Sequence, residues 1–113
     1  MIKLNLKKHQ EWLVDFYKRR NWYQYSPFIR LNFLTEEVGE LSRAIRAMKI
    51  GRDHPGEPKQ SQKDFKNNLV EELADVLDQV LIMADKFDID PETLLEHSQE
   101  KLTKRFQKQT RNK

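Results

Sequence analysis

The sequence predicts an all-α fold, an antiparallel four-helix bundle. Apolar residues recur at intervals of three and four along most of the chain, and no segment alternates apolar and polar residues as a strand does. Glycine occurs 3 times and proline 4 times in 113 residues, so few positions can interrupt a helix. Because the breaks leave only short connections, we expect consecutive helices to lie antiparallel.

The first half of the chain contains two predicted helices. The first is expected over about 4–20. Ser26 and Pro27 supply an N-cap and a proline at the first helical position, so a second helix is expected from there to about Met48. Residues 51–62 hold two glycines and two prolines and are predicted to form a loop.

The second half also contains two predicted helices. Ser61 with Asp64 three residues later resembles a capping box, in which each side chain bonds the backbone of the other, and predicts a helix start. This third helix is expected to end near Asp88. Asp90 followed by Pro91 predicts the start of a fourth helix that continues into the C-terminal segment.

Composition limits the classes of protein to consider. The length suits one domain, which we place at 1–106, followed by a basic tail at 107–113. Cysteine is absent, which excludes disulfides, thiolate zinc sites and cysteine nucleophiles. The N-terminus lacks a signal-like apolar run and no membrane-length apolar stretch occurs, so we expect a cytoplasmic protein without a membrane partner.

Two rows of side chains on the second helix differ in character. The first is apolar and is expected to face the core. The second lies beside it and is interrupted by two carboxylates, three residues apart and therefore on one face. The rows consist of Leu34, Val38, Leu41, Ile45 and Met48, and of Phe33, Glu37, Glu40, Ala44 and Ala47.

The third helix repeats this arrangement. Two apolar rows predict that it is buried on more than half of its circumference. A third row again carries two acids three residues apart, Glu72 and Asp75. The three rows are Leu69, Leu73, Val76, Val80, Met83 and Phe87; Val70, Ala74, Leu77, Leu81 and Ala84; and Phe65, Asn68, Glu72, Asp75, Gln79 and Ile82.

Two interpretations of these four acids stay open. If the helices face each other the carboxylates converge, and two like charges about 4 Å apart repel by about 4 kcal/mol at an effective dielectric near 20. A cation would remove that repulsion, and oxygen ligands alone suit Mg²⁺ or Mn²⁺. Alternatively the acids lie on solvated faces and pair with neighbouring bases, as Glu40 could with Arg43. Gly39, inside the helix, suggests the close approach of a neighbour.

The two acidic segments resemble those of a known family. Leu34-Thr-Glu-Glu-Val-Gly-Glu-Leu41 and Glu71-Glu-Leu-Ala-Asp-Val-Leu77 are similar to the motifs of the MazG-type all-α nucleotide pyrophosphatases, E-x-x-E on one helix and E-x-x-D on the next. The resemblance covers about 15–106. It implies Mg²⁺-dependent hydrolysis of a (deoxy)nucleoside triphosphate to the monophosphate and pyrophosphate, as part of clearing the nucleotide pool.

The resemblance also assigns residue roles. It implies that Glu37, Glu40, Glu72 and Asp75 are the metal ligands and the catalytic acids. It implies homodimers or homotetramers as well, in agreement with the wide apolar faces of the central helices.

Three further residues are candidate nucleotide contacts. Trp22 precedes the second helix, where family members carry an aromatic near the base, and could stack on a nucleobase; the alternative is a packed tryptophan. Lys101 and Arg105 are four apart on one helical face and could hold phosphate oxygens; the alternative is a solvated basic face. Trp12 is expected in the core.

A rival function is a non-catalytic helical module that binds nucleotide or nucleic acid through its basic C-terminal segment. Residues 101–113 contain six basic side chains and no acidic one. If the protein is the enzyme that the acid motifs predict, nucleic acid is not an expected partner.

Overall fold

Four helices account for the fold. The computed structural model describes residues 4–50 and 61–111, and within those ranges it contains no strand. The helices are α1 (Leu6–Arg19), α2 (Pro27–Ile50), α3 (Gln62–Lys86) and α4 (Pro91–Arg111). The predicted all-α helical fold is confirmed. Most of the predicted loop, 51–60, lies outside the described residues. Helix α4 continues beyond the predicted domain boundary at 106.

Side-chain caps explain where three of these helices begin. Asn5 caps α1, accepting a hydrogen bond from the backbone N–H of Lys8 at 2.8 Å, so this helix begins two residues later than predicted. Ser26 precedes Pro27, and its hydroxyl accepts from the N–H of Ile29 at 3.4 Å. Ser61 begins α3 with the predicted capping box: its hydroxyl accepts from the N–H of Asp64 at 3.1 Å, and the Asp64 carboxylate accepts from the N–H of Ser61 at 3.4 Å.

Helices α1 and α3 end in the same way, although neither has a glycine there. Asn21 and Asp88 adopt positive φ values of 61° and 57°, in the left-handed region that Asn and Asp tolerate best after Gly. In each case the next N–H reaches back five residues, from Trp22 to the carbonyl of Tyr17 at 2.9 Å, and from Ile89 to that of Ala84 at 2.8 Å. The turn after α1 therefore returns Trp22 to the side of its own helix.

Helix α3 contacts both α1 and α2, and α1 in turn contacts α4. The most extensive contact joins α2 to α3, α1 packs on α3, and α4 packs mainly on α1. The buried core consists of Leu13, Tyr17, Leu81 and Ile82. Within it the side-chain amide of Gln10 donates to the carbonyl of Leu81 at 2.9 Å, so this buried polar group is satisfied.

Three expectations about burial are wrong for the single chain. In the row of α2 that was expected to face the core, Val38 and Ile45 are 49% and 45% exposed. Trp12 is 56% exposed, because the buried positions of α1 are Gln10, Leu13 and Tyr17, and Trp12 lies about 100° from Leu13 on the helix. It stacks on Phe16 at the surface instead. Helix α3 is not buried over most of its circumference, because the N-terminal parts of two of its apolar rows are exposed on the described chain. Leu73 of the first row and Val70 and Leu77 of the second are exposed, whereas Leu81 and Ala84 farther along the second row are buried.

None of the four helices, over the residues described, combines the length and the hydropathy that a membrane crossing requires.

Replacing Leu81 by alanine should lower the free energy of unfolding by about 2–5 kcal/mol, because a side chain that is 1% exposed leaves a cavity in the core. Leu4→Ala is the matched control: Leu4 is 79% exposed, and its loss should change stability by less than about 0.5 kcal/mol. Urea unfolding followed by circular dichroism measures both. Equal effects of the two substitutions would contradict the assignment of the core to the α1–α3 contact.

Candidate functional site

Three carboxylates meet between α2 and α3. Glu37 on α2 and Glu72 and Asp75 on α3 are each half-buried, and one oxygen from each lies within 4.8 Å of the others. We call these three residues the acidic cluster. The two helices bring them together by running antiparallel. Glu37 of α2 lies opposite Glu72 of α3. Arg30, seven residues before Glu37, contacts Gln79, seven residues after Glu72, as the antiparallel direction requires.

The fourth predicted ligand lies beside this cluster. Glu40 is outside the group of three, and one of its carboxylate oxygens is 3.7 Å from Nη1 of Arg43, the pairing that the alternative interpretation expected. Its charge is nevertheless close enough to raise the pKa of Glu37 and of Glu72. A Cβ atom added to Gly39 would have nothing within 4 Å, so the close neighbour suggested by that glycine is not supplied by the described part of the same chain.

The acidic cluster is electrostatically unfavourable as it stands. Burial raises the pKa of Glu37, Glu72 and Asp75, and the neighbouring carboxylates raise them further. In addition, Oε2 of Glu72 is buried and has no hydrogen-bond partner among the residues that the structure describes. An unpaired buried carboxylate oxygen is costly, and a cation between the three side chains would supply the missing partner.

These features fit a divalent metal ion. All three side chains offer oxygen, the donor atom that Mg²⁺, Mn²⁺ and Ca²⁺ prefer, and no softer ligand lies among them. Three carboxylates also leave room for further ligands on the ion, since Mg²⁺ is usually six-coordinate. The Glu and Asp cluster thus has the composition of a divalent-cation site.

A cavity of about 320 Å³ lies farther along the same two helices. We call it the aromatic cavity, because four of its six lining residues carry aromatic rings. The six lining residues are Tyr17, Trp22, Tyr25, Arg30, Phe33 and Gln79. Trp22, the predicted base-stacking residue, is 43% exposed and packs edge-on against Tyr17, with ring centroids 5.5 Å apart.

Sequence reasoning missed the two polar residues of this cavity. Arg30 and Gln79 are both buried, and Nη1 of Arg30 donates to Oε1 of Gln79 at 3.2 Å. A signal was present for Gln79, which lies in the same row of α3 as Glu72 and Asp75. Arg30 gave a weaker one: it precedes Glu37 by seven residues, two helical turns along nearly the same face.

Lys101 and Arg105 are not brought to the acidic cluster by the main contacts of the fold. Both are exposed on α4, which packs mainly against α1, whereas the cluster lies on α2 and α3. On the same helix Lys104 lies 3.6 Å from Glu100 in an exposed ion pair.

Protonation should relieve the acidic cluster. The pKa values of the three carboxyls are raised in the folded state, so the folded protein binds more protons than the unfolded chain. Without metal, the free energy of unfolding should therefore fall as the pH rises above about 4, where carboxyl groups lose their protons. Glu72→Gln removes one charge, so at pH 7 in EDTA it should melt at a higher temperature than the unsubstituted protein, and the difference should shrink toward pH 4.

Glu11→Gln is the control for that experiment, because Glu11 is an exposed acid on α1, outside the cluster. Differential scanning calorimetry at the two pH values measures all three proteins. If Glu72→Gln and Glu11→Gln change the melting temperature equally at both pH values, the three carboxylates do not repel one another as described.

Comparisons with known proteins found a related sequence, a similar solved structure and a matching family. The chain is 45% identical over 104 residues to "Uncharacterized protein YvdC" of Bacillus subtilis (strain 168), covering 92% of this chain and 98% of that protein. Its fold is similar to the crystal structure of the "putative pyrophosphatase YPJD" from Bacillus subtilis, with a TM-score of 0.69 and 26% identity, over 89% of this chain and 97% of that one. The sequence model of the MazG nucleotide pyrophosphohydrolase domain matches residues 28–110. The chain therefore belongs to the MazG nucleotide pyrophosphohydrolase family.

Proposed function

We propose that this protein hydrolyses a (deoxy)nucleoside triphosphate to the monophosphate and pyrophosphate, using Mg²⁺, which Mn²⁺ can replace. The observation that carries the proposal is the acidic cluster, in which three half-buried carboxylates include one buried oxygen without a partner in the described part of the chain. Membership of a nucleotide pyrophosphohydrolase family supports the reaction type. Clearing the nucleotide pool, in the cytoplasm, is the role that we propose for it.

The chain's own residues divide this work. Glu37, Glu72 and Asp75 would hold the ion between α2 and α3. Glu40, which lies about one turn farther along α2 and contacts Arg43 here, is proposed as the fourth ligand. A bound Mg²⁺ supplies positive charge that offsets the charge of the substrate phosphates. The carboxylates that hold it would fix where the phosphates lie relative to the helices.

Other contacts with the nucleotide are proposed farther from the cluster. Trp22 would stack on the base, and its exposed face at the rim of the aromatic cavity supports this role. Lys101 and Arg105 are proposed to contact phosphate oxygens. They are exposed and share one face of α4, so a phosphate could reach both side chains.

We also propose that the protein is a homodimer or homotetramer. Ten large apolar side chains remain exposed on the described parts of α2 and α3. The antiparallel register brings the position of Leu31 level with that of Leu77, and the position of Val38 level with that of Val70. Six of the ten form the surface that we propose as the interface. Large exposed apolar patches mark interaction surfaces. The apolar patch consists of Leu31, Val38, Ile45, Val70, Leu73 and Leu77.

Hydrolysis should require both the cation and the cluster. With a panel of dNTPs at equal concentration and Mg²⁺, we expect pyrophosphate release that EDTA abolishes, because the carboxylates alone cannot offset the phosphate charge. Glu37→Gln should lower kcat/KM on the order of 100-fold or more, as expected when a metal ligand is lost. Coupled colorimetric detection of pyrophosphate measures the rate.

Glu11→Gln again serves as the matched control and should retain the rate. Release of pyrophosphate by Glu37→Gln at the unsubstituted rate would contradict the assignment of the site. If no nucleotide is hydrolysed and the protein instead binds DNA or RNA in a salt-sensitive way that truncation after Arg105 abolishes, the rival non-catalytic module is the better description.

Light scattering coupled to size-exclusion chromatography tests the oligomer. We expect a mass of two or four chains for the unsubstituted protein. Introducing a polar side chain into the apolar patch with Leu73→Gln should shift the mass toward one chain, because the patch would then bury an unpaired amide. Leu4→Gln, an equal change outside the patch, should leave the mass unchanged; a single-chain mass for the unsubstituted protein would refute the proposal.

A further inference from the structure

The aromatic cavity contains a buried cation, the guanidinium of Arg30. The side chain of Arg30 is 3% exposed and has no carboxylate partner among the described residues. Its guanidinium lies over the rings of Tyr17, Tyr25 and Phe33, at 5.3, 5.5 and 4.7 Å from their centroids. Its Nε is buried and makes no hydrogen bond within the described parts of the chain, 4–50 and 61–111. Because a buried N–H without an acceptor is costly, and Arg30 lines the cavity, a ligand there that accepts from Nε would remove that cost.

A chain of hydrogen bonds leaves a second donor. Arginine cannot accept, so the oxygen of the Gln79 amide must be the atom that faces Nη1 of Arg30, at 3.2 Å. The amide nitrogen of Gln79 then donates to the hydroxyl oxygen of Tyr17 at 3.1 Å. The hydroxyl proton of Tyr17 is left without an acceptor in these contacts. Burial raises the pKa of Tyr17, so the proton stays on.

The cavity and the acidic cluster lie along one line on the α2–α3 pair. Arg30 precedes Glu37 by seven residues, and Gln79 follows Asp75 by four, which correspond to about 10 Å and about 6 Å along the helix axes. A phosphate at the cluster and a flat ring in the cavity could therefore belong to one nucleotide. Aromatic walls suit the faces of that ring, and the two donors would meet its edge.

We propose that the aromatic cavity selects nucleobases with a keto group, at C4 of a pyrimidine or C6 of a purine, over bases with an amino group at that position. The proposal rests on the proposed function, since it identifies the substrate class of the same site. Arg30 Nε and the Tyr17 hydroxyl both donate, and a keto oxygen accepts from both. An amino group would point its own hydrogens at these donors and leave them unpaired, which is the condition under which a site rejects an analogue most strongly.

Matched substrate pairs test this preference. The bases of dUTP and dCTP differ only in this keto or amino group, with the shift of one ring proton, and dITP and dATP differ in the same way. In the presence of Mg²⁺ we expect kcat/KM to favour the keto member of each pair about tenfold or more. Tyr17→Phe keeps the ring and deletes one donor, so it should reduce both ratios several-fold. Tyr23→Phe deletes a hydroxyl that bonds Asp85 outside the cavity, and should leave both ratios unchanged.

Binding without turnover separates this proposal from the proposed function. Isothermal titration with dUMP and with dCMP should show tighter binding of dUMP by a similar factor. Pyrophosphate release at equal kcat/KM from both members of each pair, or a preference for the amino member, overturns the selection and leaves the function standing. No release from any nucleotide, together with a dUMP preference that Tyr17→Phe diminishes, supports the cavity and refutes the function. Equal binding and no release refute both. The unsubstituted protein decides the question by itself if Tyr17→Phe does not fold.

Discussion

The antiparallel contact between α2 and α3 is the constraint on which the rest of the molecule depends. It places Glu37 opposite Glu72 and, two turns away, Arg30 against Gln79. Both pairs contain groups that water would otherwise solvate, and the fold holds them half-buried or buried. The contact therefore holds mutually repelling carboxylates at the acidic cluster and hydrogen-bond donors without acceptors at the aromatic cavity. Burial of the apolar core between α1 and α3 offsets the free-energy cost of both.

Much of this fold was accessible from local sequence signals. Helical periodicity and the cap at Ser61 predicted α3 to within a residue of its start, because a capping box is a short-range interaction. The ends of α1 and α3 were located without any glycine, but their mechanism was not anticipated. Asn21 and Asp88 adopt the left-handed conformation that glycine most often supplies.

Burial was less accessible, because it depends on which elements meet. Trp12 was expected in the core on hydrophobicity alone, yet it lies about 100° from the buried row of α1. The apolar rows of α3 were correctly identified as helical faces, but their number exceeds what one chain covers. Val70 and Leu73 show that a pattern of apolar residues records an interface without saying which molecule supplies the other side.

For the site, spacing predicted which acids share a face but not how their side chains are oriented. Three of the four acids converge, whereas the carboxylate of Glu40 lies close to Arg43. Contacts within a single turn of helix determine the orientation of the Glu40 side chain. For Arg30 the only sequence signal was its spacing of seven residues from Glu37. Its role in the cavity follows from rings contributed by the α1 end, the following turn and α2, which no local pattern joins.

The register of α2 against α3 also limits how sequences of this kind can diverge. One residue inserted between Arg30 and Glu37 would rotate the cavity side of α2 by about 100° relative to its cluster side, so one of the two pairings with α3 would be lost. A substitution in that segment, by contrast, does not change the rotation of the cavity side of α2 relative to its cluster side. Length in this stretch of helix should therefore be held constant while composition drifts, and gaps between relatives should fall in the connections.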